Sequence, residues 1–244
     1  MIEFEIKDAV AVLTLNNPKN LNALGTKVIS EICEKLNGID EKANVLVLKG
    51  CDRAFAAGVD IKEIEKMSFQ DAYLKNFINS DWEKIFNLRI PVIAAISGYA
   101  LGGGFELTLM SDIVLASEDA VFGFPEINLG LMPGFGGTQL LSRLIGTKIA
   151  SELILTGRFI KADEARSLGI VSEVLPKDQL LEKTMELAQT IAKKSPVSVR
   201  AIKEAIRMSQ NAPLTQGIAS ERHMFRSLFS TEGKQKGVAA FLKK

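Results

Sequence analysis

The chain has 244 residues, 47% of them hydrophobic and 24% charged, with a formal net charge of +1. That length supports one sizeable core, and the composition excludes a disordered chain. Near-balanced charge argues against a nucleic-acid or membrane-surface footprint.

Cys33 and Cys51 fit neither a metal spacing nor a disulfide framework, so both are expected to stay reduced in a cytosol-like compartment. The single histidine, His223, argues against a catalytic triad and against a histidine-built metal site. No apolar run reaches the roughly 18 residues of a membrane-spanning helix. The acidic start MIEFE does not read as a targeting leader. A cytoplasmic protein is expected, or a mitochondrial matrix protein without its presequence.

MIEFEIKDAVAVLTL reads as a strand entering the fold, with Val10–Leu15 as its buried part. Leu24–Ile39 places Val28, Ile29, Ile32, Leu36 and Ile39 at helical spacing. Asn44–Leu48, Pro91–Ile96 and Asp112–Ala116 read as strands buried on both faces. Residues 63–88 carry a more charged helical pattern. The alternation predicts an α/β core with parallel strands. From about Lys177 strand signals stop, and Leu180–Ala192, Pro196–Met208, Leu214–Leu228 and Gly233–Leu242 are helical in pattern. Their apolar side calls for a partner, either the core or another subunit.

Three motifs carry chemistry. In RAFAAGVD, residues 53–60, small residues around Gly58 at a helix mouth let backbone N–H groups face a ligand oxygen, and Asp60 can cap that helix. A tight strand-to-helix turn has the same composition. GGGFE, residues 102–106, puts Glu106 in the first turn of a helix between apolar segments, where N–H groups lack intrahelical partners. Close packing of a helix start explains the glycines equally well, with Glu106 stabilised by the helix dipole. The spacing fits neither a dinucleotide-binding turn nor a P-loop. FPEINLGLMPGFGG, residues 124–137, surrounds Glu126 with apolar residues and glycines. Such a setting disfavours the ionised form, so this carboxyl can hold a proton near neutrality. An exposed loop glutamate, in a short extended piece after Pro125, is the plainer alternative. Arg53 and Lys62 are candidates for phosphate contact, although scattered surface cations are commoner.

NPKNLNAL (17–24), RAFAAGVDIKE (53–63), the whole of 96–139 and TGRFIKADEARSLGIVSEVL (156–175) resemble the crotonase superfamily, and within it the enoyl-CoA hydratases and 3-hydroxyacyl-CoA dehydratases. The match runs in order along nearly the whole chain. It implies an α/β fold of stacked β-β-α units in a spiral, with a C-terminal helical segment that builds a trimer or a dimer of trimers. Residues 1–190 would be the core with the active site, and 191–244 the oligomerisation segment.

Carried over by position, the resemblance assigns the oxyanion hole to the N–H groups of Val59 and Gly103. Glu106 and Glu126 become the acid/base pair, binding the reacting water together with the N–H of Gly134. Ala23, Arg53, Ala57 and Lys62 fall at positions near coenzyme A. The implied reaction is reversible syn addition of water to a trans-2-enoyl-CoA, without metal or redox cofactor; coenzyme A belongs to the substrate. Superfamily isomerases often keep only the carboxyl matching Glu126, so the pair favours hydration over Δ3,Δ2-isomerisation. A non-catalytic relative that binds acyl-CoA or RNA fits the retained pair less well.

Departures from the pattern are Val59, at a position more often alanine, Leu140, where many relatives have arginine, and an ending at FLKK short of a basic, aromatic tail. Weaker coenzyme A binding is expected if that tail contacts it. Phe105, Phe124 and Phe135 are expected to line and shorten the acyl site, giving a short-chain preference.

Overall fold

The computed structural model describes residues 1–51, 53–74, 76–78 and 80–243. Residues 75 and 79 of the 63–88 pattern, and Lys244 of FLKK, lie outside that set.

The strands are β1 (Ile2–Lys7), β2 (Val10–Leu15), β3 (Val45–Lys49), β4 (Ala54–Ala56), β5 (Val92–Ile96), β6 (Tyr99–Leu101), β7 (Ile113–Ser117), β8 (Val121–Gly123), β9 (Ile160–Lys161) and β10 (Glu173–Leu175). The helices begin with α1 (Thr26–Leu36), α2 (Ile39–Lys42), α3 (Ile61–Ile64), α4 (Phe69–Leu74), α5 (Ser80–Phe86) and α6 (Gly103–Met110). They continue with α7 (Gly137–Ile145), α8 (Thr147–Thr156), α9 (Ala162–Ser167), α10 (Lys177–Ala192), α11 (Pro196–Met208), α12 (Leu214–Ser227) and α13 (Glu232–Leu242).

A six-stranded sheet runs β1-β2-β3-β5-β7-β10, and a four-stranded sheet runs β4-β6-β8-β9. Pairing is parallel from β2 to β10 and antiparallel between β1 and β2 and between β8 and β9. The N-terminal stretch is therefore a hairpin where a single strand was expected. Its two turn residues, Asp8 and Ala9, have φ of 51° and 61°, as a tight two-residue hairpin turn requires.

The 63–88 pattern is likewise not one helix but α3, α4 and α5. Asp60 caps α3 by accepting the Lys62 N–H at 3.0 Å. Ser68 and Asp71 restart the chain as α4 by exchanging side chain-to-backbone bonds of 3.0 and 3.1 Å. Each restart satisfies backbone groups that a continuous helix would satisfy internally.

One face of the large sheet joins α1, α5, α6 and the small sheet in the main core, with Leu13, Leu46, Ile96, Phe105 and Phe122 at its centre. On the other face α10 packs Ala188 against Val10, Val12, Val45, Val47 and Ile93. α10 thus continues through position 190 to Ala192 as one element. α11 is pinned to the sheet by Lys203, only 7% exposed. Its Nζ donates to Asp112 Oδ2 at 2.7 Å and to the Ile90 carbonyl at 2.8 Å. α12 and α13 bury no described residue and expose Leu214, Phe225 and Phe241.

Candidate active site

The small sheet delivers the chain to the site. β4 leads into Gly58 and Val59, and β6 runs parallel to it and leads into Gly102. Gly102 has φ 52° and ψ −123°, a conformation that strains any residue with a side chain, and a Cβ there would stand 2.8 Å from Glu126 Oε1. A Cβ on Gly104 would clash with the Ala56 carbonyl, so α6 starts pressed against β4. A Cβ on Gly58, φ 98°, would lie 3.8 Å from Gly103 N. The two glycine turns therefore lie against each other. Among the described residues, no backbone carbonyl takes up the N–H of Val59 or of Gly103.

Glu106 is 2% exposed on a helix otherwise buried along its first six residues. Its Oε1 accepts the N–H of Phe135 at 2.7 Å and of Gly137 at 2.8 Å. Burial pushes its pKa up, and the two N–H groups, which favour the charged form, oppose that rise. Sequence reasoning missed these donors. Their signal was the glycine cluster itself: Gly136 takes φ 99° and Gly137 opens α7, where amides lack intrahelical partners.

Glu126 sits in a short 3-10 turn, Pro125–Leu129, and not in the extended piece expected. It is half-buried, and its Oε2 is buried without a hydrogen-bond partner among the described residues. Burial pushes its carboxyl up to about 7, opposed by a hydrogen bond from its own backbone N–H and reinforced a little by the charge of Glu106.

Both glutamates face one cavity of about 410 Å³, lined also by Ala57, Gly58, Val59, Gly102 and Gly134. Its apolar walls come from α3, the stretch around Met67, Phe77 and Ile78, and the segment Leu129 to Met132. The structure thus brings together Ala57, Val59, Glu106, Glu126 and Gly134, and a Cβ on Gly103 would lie 3.8 Å from Val59 Cγ2. Ala23 is carried alongside by two bonds, Ala57 N–H to the Leu21 carbonyl at 3.0 Å and Leu24 N–H to the Gly58 carbonyl at 2.8 Å. Arg53 and Lys62 are exposed and stand outside the cavity lining.

A buried Asn22, unnoticed in sequence, holds this loop. Its Nδ2 donates to the carbonyls of Ala54 and Phe55 at 2.8 and 3.0 Å, and its Oδ1 accepts the Asn17 N–H at 2.6 Å.

The three phenylalanines expected to shape the acyl site do not line it. Phe105 and Phe124 are 1% exposed, with ring centroids 4.8 Å apart inside the core. Phe135 packs on Trp82. Phe69 and Phe77 line the cavity instead. The expected short-chain preference loses this support. His223 is exposed on α12. No group of three or more His, Cys, Asp or Glu among the described residues is placed to hold a metal ion.

This geometry coincides with a family match: residues 5–244 fit the family described as "Enoyl-CoA hydratase/isomerase". The chain belongs to the enoyl-CoA hydratase/isomerase family. It is 47% identical over 98% of its length to a "Probable enoyl-CoA hydratase, mitochondrial" of Dictyostelium discoideum, covering 87% of that protein. It is 42% identical over 96% of its length to the "2,3-dehydroadipyl-CoA hydratase" of Escherichia coli (strain K12), covering 92% of it. Among solved structures, an enoyl-CoA hydratase subunit from Geobacillus kaustophilus HTA426 superposes with a TM-score of 0.96 at 44% identity, covering 99% of this chain and 95% of that one. The mixed α/β fold, with its parallel sheets and C-terminal helices, is the fold of that enoyl-CoA hydratase.

Proposed function

We propose that this chain is an enoyl-CoA hydratase, a hydro-lyase that adds water reversibly to a trans-2-enoyl-CoA thioester and gives the 3-hydroxyacyl-CoA. One observation carries the reading. Two carboxyls in unlike environments face one cavity, beside paired glycine turns whose N–H groups no backbone carbonyl takes up among the described residues.

In this reading the N–H groups of Val59 and Gly103 hold the thioester oxygen as it gains enolate charge. Loss of one such donor costs about 2.7–4 kcal/mol of transition-state stabilisation. Glu106, held by two amides, orients and deprotonates water for attack at C3. Glu126, raised to about 7, delivers its proton to C2. The Gly134 N–H completes the water site. Atoms balance: the water oxygen and one proton end at C3 as hydroxyl, Glu126 gives a proton to C2, and Glu106 receives the other water proton. The steps draw on no metal or redox cofactor, and coenzyme A enters with the substrate. Ala23 and Ala57 would flank the coenzyme A moiety, with Arg53 and Lys62 reaching its phosphates from the rim.

The exposed apolar residues of α12 and α13 support a role for 191–244 in a homotrimer or a dimer of trimers, appended to the 1–190 core. A cytoplasmic or mitochondrial matrix location follows the same reading.

The competing chemistry is Δ3,Δ2-enoyl-CoA isomerisation, which moves a double bond and adds no water. The fixed second carboxyl, Glu106, favours hydration. Loss of the crotonyl-CoA enone absorbance with a product heavier by one water supports the hydratase. Turnover confined to 3-enoyl-CoA, with no water gained, overturns it.

A further inference from the structure

Trp82 touches two parts of the site that come from distant points of the chain. It is the only tryptophan, lies on α5 and is 4% exposed. Its ring centroid is 4.7 Å from that of Phe135, with the planes inclined by 41°. Its Cη2 is 3.2 Å from the point where a Cβ on Gly103 would stand, so the indole rests on the bare face of that glycine. Phe135 is the residue whose N–H reaches Glu106 Oε1 at 2.7 Å. Gly103 opens α6, three residues ahead of Glu106.

We propose that Trp82 is a positioning residue, a rigid plate that sets the Gly103 backbone and the Phe135 amide relative to each other. The inference rests on the roles assigned above to Gly103 and Glu106.

Gly103 has no side chain with which to fix its own peptide, and packing around it comes from Trp82, Leu24 and Val59. Phe135 follows Gly134 and precedes Gly136 and Gly137, a stretch with few side chains to anchor it. Its ring against the indole supplies that anchor. α5 is itself tied to α1, since Cys33 Sγ donates to the Asp81 carbonyl at 3.2 Å. An indole has only two side-chain torsions, so once buried it transmits position with little play. Donors aimed at developing charge need placement within about 0.5 Å. Loosening the Phe135 amide would also withdraw one of the two N–H groups that hold the Glu106 pKa down. The ionisation of Glu106 would then move to higher pH.

The test compares wild type, Trp82→Leu, Trp82→Phe and Glu106→Gln in crotonyl-CoA hydration across pH. Trp82→Leu is expected to lower kcat about 10- to 100-fold. KM should stay near the wild-type value, and the acid limb should move to higher pH. Trp82→Phe, which keeps an aromatic face, is expected to recover most of the loss but keep a smaller displacement of the limb. A folded Trp82→Leu with wild-type kcat and an unmoved acid limb would overturn the proposal. Should Trp82→Leu not fold, Trp82→Phe decides alone: both kcat and limb unchanged overturns it. Inactive Glu106→Gln beside unaltered Trp82 variants removes this inference alone, whereas a fully active Glu106→Gln removes the site reading and the inference with it.

Discussion

Glu106 and Glu126 share one cavity in opposite conditions: Glu106 Oε1 accepts two backbone N–H groups, and Glu126 Oε2 is buried with none among the described residues. Hydrogen bonds that favour the charged form suit a base, and a desolvated carboxyl with one oxygen left unpartnered suits an acid. The division of labour proposed for them therefore rests on the two environments and not on residue type.

The pH dependence of the rate follows. The pair is active with one proton on it, in either direction of the reaction, because hydration starts with that proton on Glu126 and dehydration with it on Glu106. With Glu126 pushed up to about 7, kcat/KM should fall as pH rises through that value. On the acid side it should fall as the second carboxyl gains its proton. A profile flat from pH 6 to 9 would contradict the assignment.

Stability should show the same carboxyl. The folded pKa of Glu126 lies above its ordinary 4.5, so between 4.5 and about 7 the folded chain binds more protons than the unfolded one. Stability from this group is therefore lost as pH rises through that window, and the penalty is complete above it. Glu126→Gln should stabilise the fold at pH 8 by on the order of 2 kcal/mol, allowing for partial exposure, and by little at pH 4.5. Thermal melts at both values check this; an increment independent of pH would count against it.

Gly102→Ala tests the backbone half of the site. The added methyl would enter a strained conformation and approach Glu126 Oε1 to 2.8 Å. The strain costs about 1–3 kcal/mol, and displacement of Glu126 should lower kcat about 10²-fold. Melting and steady-state rates read the two effects separately. A wild-type rate would show that this turn does not set the carboxyl.

In the proposed reading the acyl chain lies along the apolar wall of the cavity, which predicts selectivity between chains of equal length. That wall carries Ile61, Ile64, Met67, Phe77, Leu131 and Met132, and both charged groups lining the cavity among the described residues are carboxyls. A terminal carboxylate would be desolvated there beside like charge. trans-2-Hexenoyl-CoA should be hydrated with kcat/KM about 10²-fold above that of its six-carbon ω-carboxylate counterpart. Equal values for the two would show that the acyl end reaches a cation or bulk water.

Much of the fold was legible where burial imposes long periodic runs: the cores of β2, β3, β5 and β7, and helices α1, α10, α11, α12 and α13, lie close to their expected bounds. The small sheet was not. β4, β6, β8 and β9 are two or three residues each, too short to show a period, although they carry the glycine turns of the site. Glu106, Glu126 and Val59 could be picked out because glycine and carboxylate are conspicuous in apolar surroundings. The amides of Phe135 and Gly137 could not, since every residue but proline offers one and only the fold aims it. Phe105 and Phe124 misled because nearness in sequence to a candidate-site glutamate says nothing about which way a ring turns from α6 or from the start of the Pro125–Leu129 turn.

Crotonyl-CoA hydration by wild type, Glu106→Gln and Glu126→Gln, measured side by side with circular dichroism to confirm folding, tests the two-carboxyl mechanism most directly. Each substitution should lower kcat about 10²–10⁴-fold while the fold is kept. A folded single variant that still adds water within tenfold of the wild-type rate would contradict the two-carboxyl mechanism.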